Sequence, residues 1–161
     1  MATTLAFDVY GTLINTHGVL SLLDDMIGDN AQAFSNTWRE KQLEYSFRRG
    51  LMQNYIPFSL CTKHALDYAC LAHKTELSED QKGQLLELYK TLPAFDDVKA
   101  GLEQLKAKDY RLFAFSNGAA DAVHTLLETA GISELFEGVV SADDVKTFKP
   151  NPGVYSHFLR E

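Results

Sequence analysis

Short apolar segments bounded by polar turns stand out along the chain. They run from Leu5 to Phe7, from Leu112 to Phe115, and across Val139 and Val140. Runs of this length, with turn residues at both ends, are typical of strands buried on both faces of a parallel sheet. The pattern therefore predicts a parallel sheet built from these segments.

Helical spacing of apolar residues fills the segments between the later strands. Asp97 to Lys108 shows this spacing, and Ala119 to Thr129 repeats it before Gly131. Glycine directly after the last periodic residues commonly ends a helix. Alternating strands and helices are typical of a doubly wound α/β fold, so we predict that architecture.

The segment between the first and second strands is too long for a plain loop. Its apolar spacing is helical, and helices are predicted over Ala31 to Gly50, Phe58 to Ala72 and Ser78 to Leu92. The first of these carries Phe34, Trp38, Leu43 and Phe47. We therefore expect a helical cap domain over residues 15–93, inserted into a doubly wound parallel α/β core formed by residues 1–14 and 94–161.

Composition and charge limit the class of protein. With 161 residues, 45% of them hydrophobic, the chain is large enough for a substantial core. The net charge of -7 disfavours nucleic acid and anionic membranes as partners. We recognise neither a signal peptide nor a membrane span. Cys61 and Cys70 match neither a zinc pair nor a disulfide framework, so we expect buried thiols in a cytoplasmic protein.

Chemically active residues follow all three predicted strands. Asp8 follows the first strand, Ser116 and Asn117 follow the second, and Lys149 lies in the loop after the third. Ligands of open α/β sheets bind beyond the carboxyl ends of the strands, which meet at one edge. An aspartate at such an edge is a candidate nucleophile, so we expect a single catalytic site there.

The segment Asp8-Val9-Tyr10-Gly11-Thr12-Leu13 resembles the opening motif of the haloacid dehalogenase superfamily, whose nucleophile is the first aspartate. Ser116 and Lys149 stand where the second and third motifs of that superfamily are expected. Three matches in the right order are more specific than any one of them. The resemblance implies a Rossmann-like core and an inserted cap, in agreement with the pattern of elements.

The residue two positions after the nucleophile distinguishes branches of this superfamily. Phosphatases commonly carry an aspartate there as a general acid, whereas this chain has Tyr10. A halide leaves without a proton, so Tyr10 favours a dehalogenase. The cap segment Trp38 to Tyr45 is similar to the cap-helix signature of L-2-haloacid dehalogenases, and Lys149 to Tyr155 resembles their third motif.

This resemblance implies hydrolysis of short L-2-haloalkanoic acids, small-molecule substrates, to 2-hydroxy acids without a cofactor or metal. Asp8 would displace the halide from C2 with inversion, and water would hydrolyse the resulting aspartyl ester. Arg39 and Asn117 would receive the halide, because a weakly hydrated guanidinium suits a large anion. Lys149 would keep Asp8 ionised.

The resemblance also implies a set of substrate-binding positions. Ser116 and the backbone amides near Tyr10 and Gly11 would hold the substrate carboxylate. An apolar wall would be formed by Tyr10, Leu43 and Phe58, and polar support would come from Thr12 and Tyr155.

Other interpretations stay open. Asp8 could begin a turn, Ser116-Asn117-Gly118 is a common turn and N-cap sequence, and Arg39 could be one charge on a solvated helix face. The function could also be that of a magnesium-dependent phosphatase or phosphomutase of the same fold. A third possibility is an inactive chain that only binds a small acid or associates with a partner.

The fourth superfamily motif, an acidic loop after a further strand, is not found before Glu161. We therefore expect a shortened version of a longer dehalogenase, in which hydrolysis of the aspartyl ester is impaired. With the family's strand order, the strand that ends at Asp8 would then have an open edge. Open edges promote association, so we expect a homodimer or other homo-oligomer.

Overall fold

Three parallel strands form the sheet in the computed structural model, which describes residues 3–161. The strands are β1 (Thr4–Phe7), β2 (Arg111–Ser116) and β3 (Gly138–Ser141), in the order β1-β2-β3. Phe7 lies opposite Ala114, and Ser116 lies opposite Ser141, so the carboxyl ends of the strands meet at one edge. All three predicted strands are confirmed.

Helices cover both faces of this sheet. Side chains of β2 alternate between the faces: Leu112 and Ala114 belong to the main core, whereas Phe113 and Phe115 lie in a second cluster. The helix that covers the second cluster is α7 (Pro152–Phe158), whose Phe158 ring lies 5.0 Å from that of Phe115. The two-sided arrangement confirms the doubly wound α/β fold.

Two more helices connect the strands of the core. They are α5 (Val98–Lys106), before β2, and α6 (Ala120–Thr129), between β2 and β3. Apolar residues at helical spacing are buried in both, as the periodicity predicted.

Four helices lie between β1 and α5. They are α1 (Leu20–Ile27), α2 (Ala31–Leu51), α3 (Phe58–His73) and α4 (Glu79–Leu88). A capping box is present, with Ser78 and Gln81 bonded reciprocally at the start of α4. Phe34 and Trp38 on α2 are buried as expected, but Phe47 is 42% exposed and is not a core residue.

The inserted helices leave and rejoin the rest of the chain at adjacent positions. Ile14 forms bridges with both Tyr10 and Ala94, and the Asn15 N–H donates to the Pro93 carbonyl at 2.8 Å. We propose that this junction is the boundary of the cap predicted over residues 15–93. Among the described residues, no helix is both long enough and apolar enough to cross a membrane.

Candidate active site

The carboxylate of Asp8 lies directly after β1, at the edge where the strands end. Its Oδ1 accepts a hydrogen bond from Lys149 Nζ at 2.6 Å, and its Oδ2 accepts one from Thr12 Oγ1 at 2.9 Å. The side chain is still 48% exposed. Two donors therefore fix the carboxylate, while part of its surface stays open to an incoming molecule.

Lys149 is held in place by more than its ion pair with Asp8. Its ammonium also donates to the Phe115 carbonyl at 2.8 Å, and its backbone N–H donates to Asn117 Oδ1 at 2.8 Å. Because Phe115 and Asn117 flank the end of β2, these bonds tie the Lys149 loop to the sheet. The Lys149 side chain is only 15% exposed.

A tight turn follows Asp8 and requires a glycine. The Val9 carbonyl accepts from the N–H groups of Leu13 and Ile14, and Gly11 has φ +90°. That φ is unfavourable for residues with a Cβ. The Gly11 N–H donates to the Ile14 carbonyl at 2.8 Å, so it is already engaged and is not free for the expected bond to a substrate carboxylate.

Arg39 reaches this turn from α2. Its Nη2 donates to the Tyr10 carbonyl at 2.5 Å, and its Nη1 donates to Gln42 Oε1 at 2.5 Å. A Cβ added to Gly11 would lie 3.2 Å from Nη2. The half-buried guanidinium therefore packs directly on the turn that follows Asp8.

Tyr10 fills an aromatic cluster beside the turn. Its ring centroid lies 5.3 Å from that of Phe58 and 6.0 Å from that of Tyr89. Burial, with a smaller contribution from Tyr89, raises the pKa of Tyr10 far above its usual range. Tyr10 therefore keeps its proton at neutral pH and is poorly suited to act as a general acid.

Ser116 is buried at the end of β2, where its Oγ accepts a hydrogen bond from the Gly118 N–H at 3.0 Å. Its hydroxyl hydrogen can still donate to another group. Leu43 lies half-buried on α2, one turn beyond Arg39. Tyr155 is 45% exposed and packs on Phe115, with ring centroids 5.6 Å apart; the side chains that hydrogen-bond to Asp8 are those of Thr12 and Lys149.

A cavity of about 600 Å³ lies next to Tyr10 and Phe58. The start of α3 and the end of α4 line it on one side and the start of α6 lines it on the other, so it lies between the inserted helices and the core. Asp8 is not among its lining residues. Within residues 3–161, we find no group of three or more His, Cys, Asp or Glu side chains placed to hold a metal ion.

The polar residues around Arg39 were not predicted from the sequence. Gln42, Thr62 and Tyr89 form a buried hydrogen-bonded group on α2, on α3 and after α4. One signal was available: Gln42 lies three positions after Arg39, a spacing that places two side chains on the same helix face. The contribution of Thr62 and Tyr89 depends on helix packing, which the sequence does not show.

Comparison with known proteins gives consistent matches. A family model described as haloacid dehalogenase-like hydrolase matches residues 2–161. Haloacetate dehalogenase H-2 of Moraxella sp. (strain B) is 35% identical over 151 residues, which are 94% of this chain and 67% of that protein. (S)-2-haloacid dehalogenase 4A of Burkholderia cepacia is 36% identical over 149 residues, covering 92% and 64% of the two chains.

The fold is also similar to that of a dehalogenase of known structure. The L-2-haloacid dehalogenase from Xanthobacter autotrophicus, with chloropropionic acid covalently bound, matches with a TM-score of 0.90 and 30% identity. The match covers 99% of this chain and 64% of that one. The chain thus spans about two thirds of the length of the curated relatives cited above.

Proposed function

The chain belongs to the haloacid dehalogenase-like hydrolases, and from this we propose that it acts on short L-2-haloalkanoic acids through an aspartyl ester. The observation that carries the proposal is the Asp8 carboxylate: partly open, bonded to Lys149 and Thr12, and followed by a turn on which Arg39 packs. Two relatives named as dehalogenases of haloacetate and of (S)-2-haloacids support the substrate class.

The proposed first step is a displacement at C2 of the substrate. A lone pair of an Asp8 oxygen forms the new C–O bond while the carbon–halogen bond breaks, and the halide leaves with the bonding electrons. The bonds from Lys149 and Thr12 orient the carboxylate. Arg39 and Asn117 stabilise the departing halide, because the charge that develops there needs donors that are already in place.

The second step is hydrolysis of the ester. Water adds to the ester carbonyl carbon, and the bond between that carbon and the substrate-derived oxygen breaks. One proton of the water goes to that oxygen and the other to solvent, so the products are the Asp8 carboxylate and a 2-hydroxy acid with inverted configuration at C2. The displaced group in the first step is a halide, which needs no proton, and this matches a site in which Tyr10 holds its proton tightly. An alkoxide leaving group would need a proton donor at that point.

The remaining site residues are proposed to bind substrate. Ser116 has a hydroxyl hydrogen available for the substrate carboxylate, and Tyr10, Leu43 and Phe58 would form an apolar wall around the alkyl group. Thr12 supports Asp8 directly, whereas Tyr155 supports the site through Phe115. We also propose that the protein is cytoplasmic, because its two cysteines are buried free thiols.

The test is intact-mass analysis of the chain after incubation with L-2-chloropropionate, together with measurement of released chloride. We expect one propionate adduct that maps to Asp8, formed in step with the chloride. The variant Asp8→Asn should form no adduct, while the exposed control Asp25→Asn on α1 should behave as the original chain. An original chain that neither forms an adduct nor releases more chloride than Asp8→Asn, or a full adduct in Asp8→Asn, would contradict the proposal.

A further inference from the structure

The buried side chain of Gln42 is the contact through which the cap holds Arg39. We propose that Gln42 is a positioning residue that orients the Arg39 guanidinium toward the departing halide, an inference that rests on the proposed function. Gln42 is fully buried, at 0% exposure, yet it has polar partners from three separate parts of the chain. A buried polar group with so many partners fixes a local geometry strongly.

The orientation of the Gln42 amide follows from its partners. Arg39 can only donate hydrogen bonds, so the atom that faces Nη1 at 2.5 Å must be the amide oxygen. On the other side, the Thr62 hydroxyl donates its single hydrogen to the Phe58 carbonyl at 3.0 Å. Thr62 Oγ1 therefore accepts from Gln42 Nε2, at 2.5 Å, and the amide cannot turn over without losing both bonds.

Tyr89 completes the group as a second donor to the same oxygen. Its hydroxyl lies 3.0 Å from Gln42 Oε1, and its ring packs against Trp38 with centroids 5.2 Å apart. The Trp38 Nε1–H donates to the Thr62 carbonyl at 2.9 Å. No buried side-chain nitrogen or oxygen of the described residues lacks a hydrogen-bond partner, so each buried polar atom of this network has at least one.

The guanidinium of Arg39 is therefore fixed between two neutral acceptors, the Gln42 amide oxygen and the Tyr10 carbonyl. A carboxylate in place of the amide would bond to the same nitrogen but would also cancel the positive charge that attracts a halide. The neutral amide of Gln42 holds the Arg39 side chain and leaves the positive charge of the guanidinium intact. This difference gives the role of Gln42 a testable signature.

The test compares Gln42→Glu, which keeps the shape, and Gln42→Met, which removes both polar atoms, with the control Gln32→Glu. Gln32 lies on the same helix and is exposed, with Asn36 as its partner. Two readouts are used for each variant. The first is bromide affinity followed by the fluorescence of Trp38, the single tryptophan of the chain; the second is the rate of Asp8 alkylation by 2-chloropropionate and by 2-bromopropionate.

We expect Gln42→Glu to bind bromide at least about 10-fold more weakly and both Gln42 variants to be alkylated about 10- to 100-fold more slowly, since small displacements of catalytic groups have effects of this size. The loss should be larger for the chloro than for the bromo substrate, because chloride is the poorer leaving group and depends more on Arg39. Gln32→Glu should match the original chain in every readout.

A purely structural role predicts a different result. Variants that melt at a lower temperature but keep the original bromide affinity and the original chloro-to-bromo rate ratio would overturn the inference. Tyr89→Phe is a second variant for the case in which the Gln42 variants do not fold. It removes the hydroxyl that donates to Gln42 and keeps the ring. It should shift the chloro-to-bromo rate ratio in the same direction by a smaller factor. If the original chain neither forms an adduct nor releases chloride, the proposed function fails, and the bromide titration still decides the role of Gln42. Absence of bromide binding by the original chain would overturn the inference as well.

Discussion

Gly11 illustrates how one small residue serves two separate needs at the site. Its φ of +90° allows the turn after Asp8, and its missing side chain leaves room for the Arg39 guanidinium. The first need concerns backbone conformation and therefore stability. The second concerns the position of a charged group and therefore activity. Alanine variants of Gly11 and of a second glycine at positive φ distinguish the effect on stability from the effect on activity.

Replacing Gly11 with alanine should cost about 1 kcal/mol of unfolding free energy, because positive φ is unfavourable for a residue with a Cβ. The new Cβ would also lie 3.2 Å from Arg39 Nη2 and displace the guanidinium. The matched control is Gly131→Ala, at φ +66° with no atom within 4 Å of the added Cβ. Chemical denaturation should show similar losses in the two variants, whereas alkylation of Asp8 should slow only in Gly11→Ala. Equal alkylation rates would show that the contact with Arg39 is unimportant.

Single residues of the site were predictable where the chemistry is local to a motif. Asp8 and Thr12 are close in sequence, and Lys149 follows a strand whose end faces the same edge, so topology alone brings it near Asp8. Gln42 and Tyr89 were not predictable as partners. Their contact depends on how α2 packs relative to the end of α4, and helix packing follows from side-chain shapes that no spacing rule encodes.

At the scale of elements, a polar link joins the segment between α2 and α3 to the 3₁₀ turn that follows β3. The Tyr55 hydroxyl donates to Asp143 Oδ1, and Lys146 Nζ donates to Oδ2 at 2.9 Å. The Tyr55 ring also packs on Phe148, with centroids 5.0 Å apart. Because Phe148 directly precedes Lys149, this link connects the inserted helices to the loop that carries Lys149.

The link should make stability depend on pH. The Tyr55 hydroxyl, and then Lys146, lower the pKa of Asp143 below its usual range. A carboxyl with a lowered pKa in the folded state stabilises the fold fully above its unfolded pKa of about 4, and this stabilisation is lost as pH falls through the folded pKa. We expect Asp143→Asn to lose about 1 kcal/mol at neutral pH and the difference from the original chain to vanish in acid.

Urea unfolding of the two proteins across this pH range measures the effect. Asp144→Asn is the control, since the Asp144 side chain is 53% exposed and has a single long contact with His157 at 3.4 Å. Its unfolding free energy should stay close to that of the original chain. A loss in Asp143→Asn that persists unchanged into acid would contradict the assigned cause.

The elements themselves were largely predictable, because buried strands and amphipathic helices have distinct periods in sequence. The residues at which the helices begin and end were less predictable. The helix predicted over Ser78 to Leu92 ends as α4 at Leu88, and the one predicted over Asp97 to Lys108 is α5, Val98–Lys106. The helix α1 was not singled out within the inserted segment. Terminal turns depend on local capping and on the next contact, which periodicity does not describe.

At the scale of the whole molecule, β1 lies at one edge of the sheet formed by residues 3–161, with β2 as its partner. The Arg111 N–H donates to the Thr3 carbonyl at 3.0 Å, so the backbone groups of Thr3 point toward β2. Because these groups alternate along a strand, those of Thr4 and Ala6 point to the other side. We propose that this chain self-associates through that edge, since unpaired strand edges pair readily with another chain.

A proline at position 6 tests this directly. Ala6→Pro removes an N–H that points away from β2, so it should leave the bonds between β1 and β2 in place while blocking a new strand on the outer edge. In sedimentation experiments at micromolar concentration, we expect the original chain to be a dimer or larger, Ala6→Pro to be monomeric, and the control Ala6→Val to associate like the original. The melting temperature of Ala6→Pro should show that the fold is retained. A monomeric original chain, or an Ala6→Pro variant that associates equally well, would show that the edge of β1 is not the contact surface.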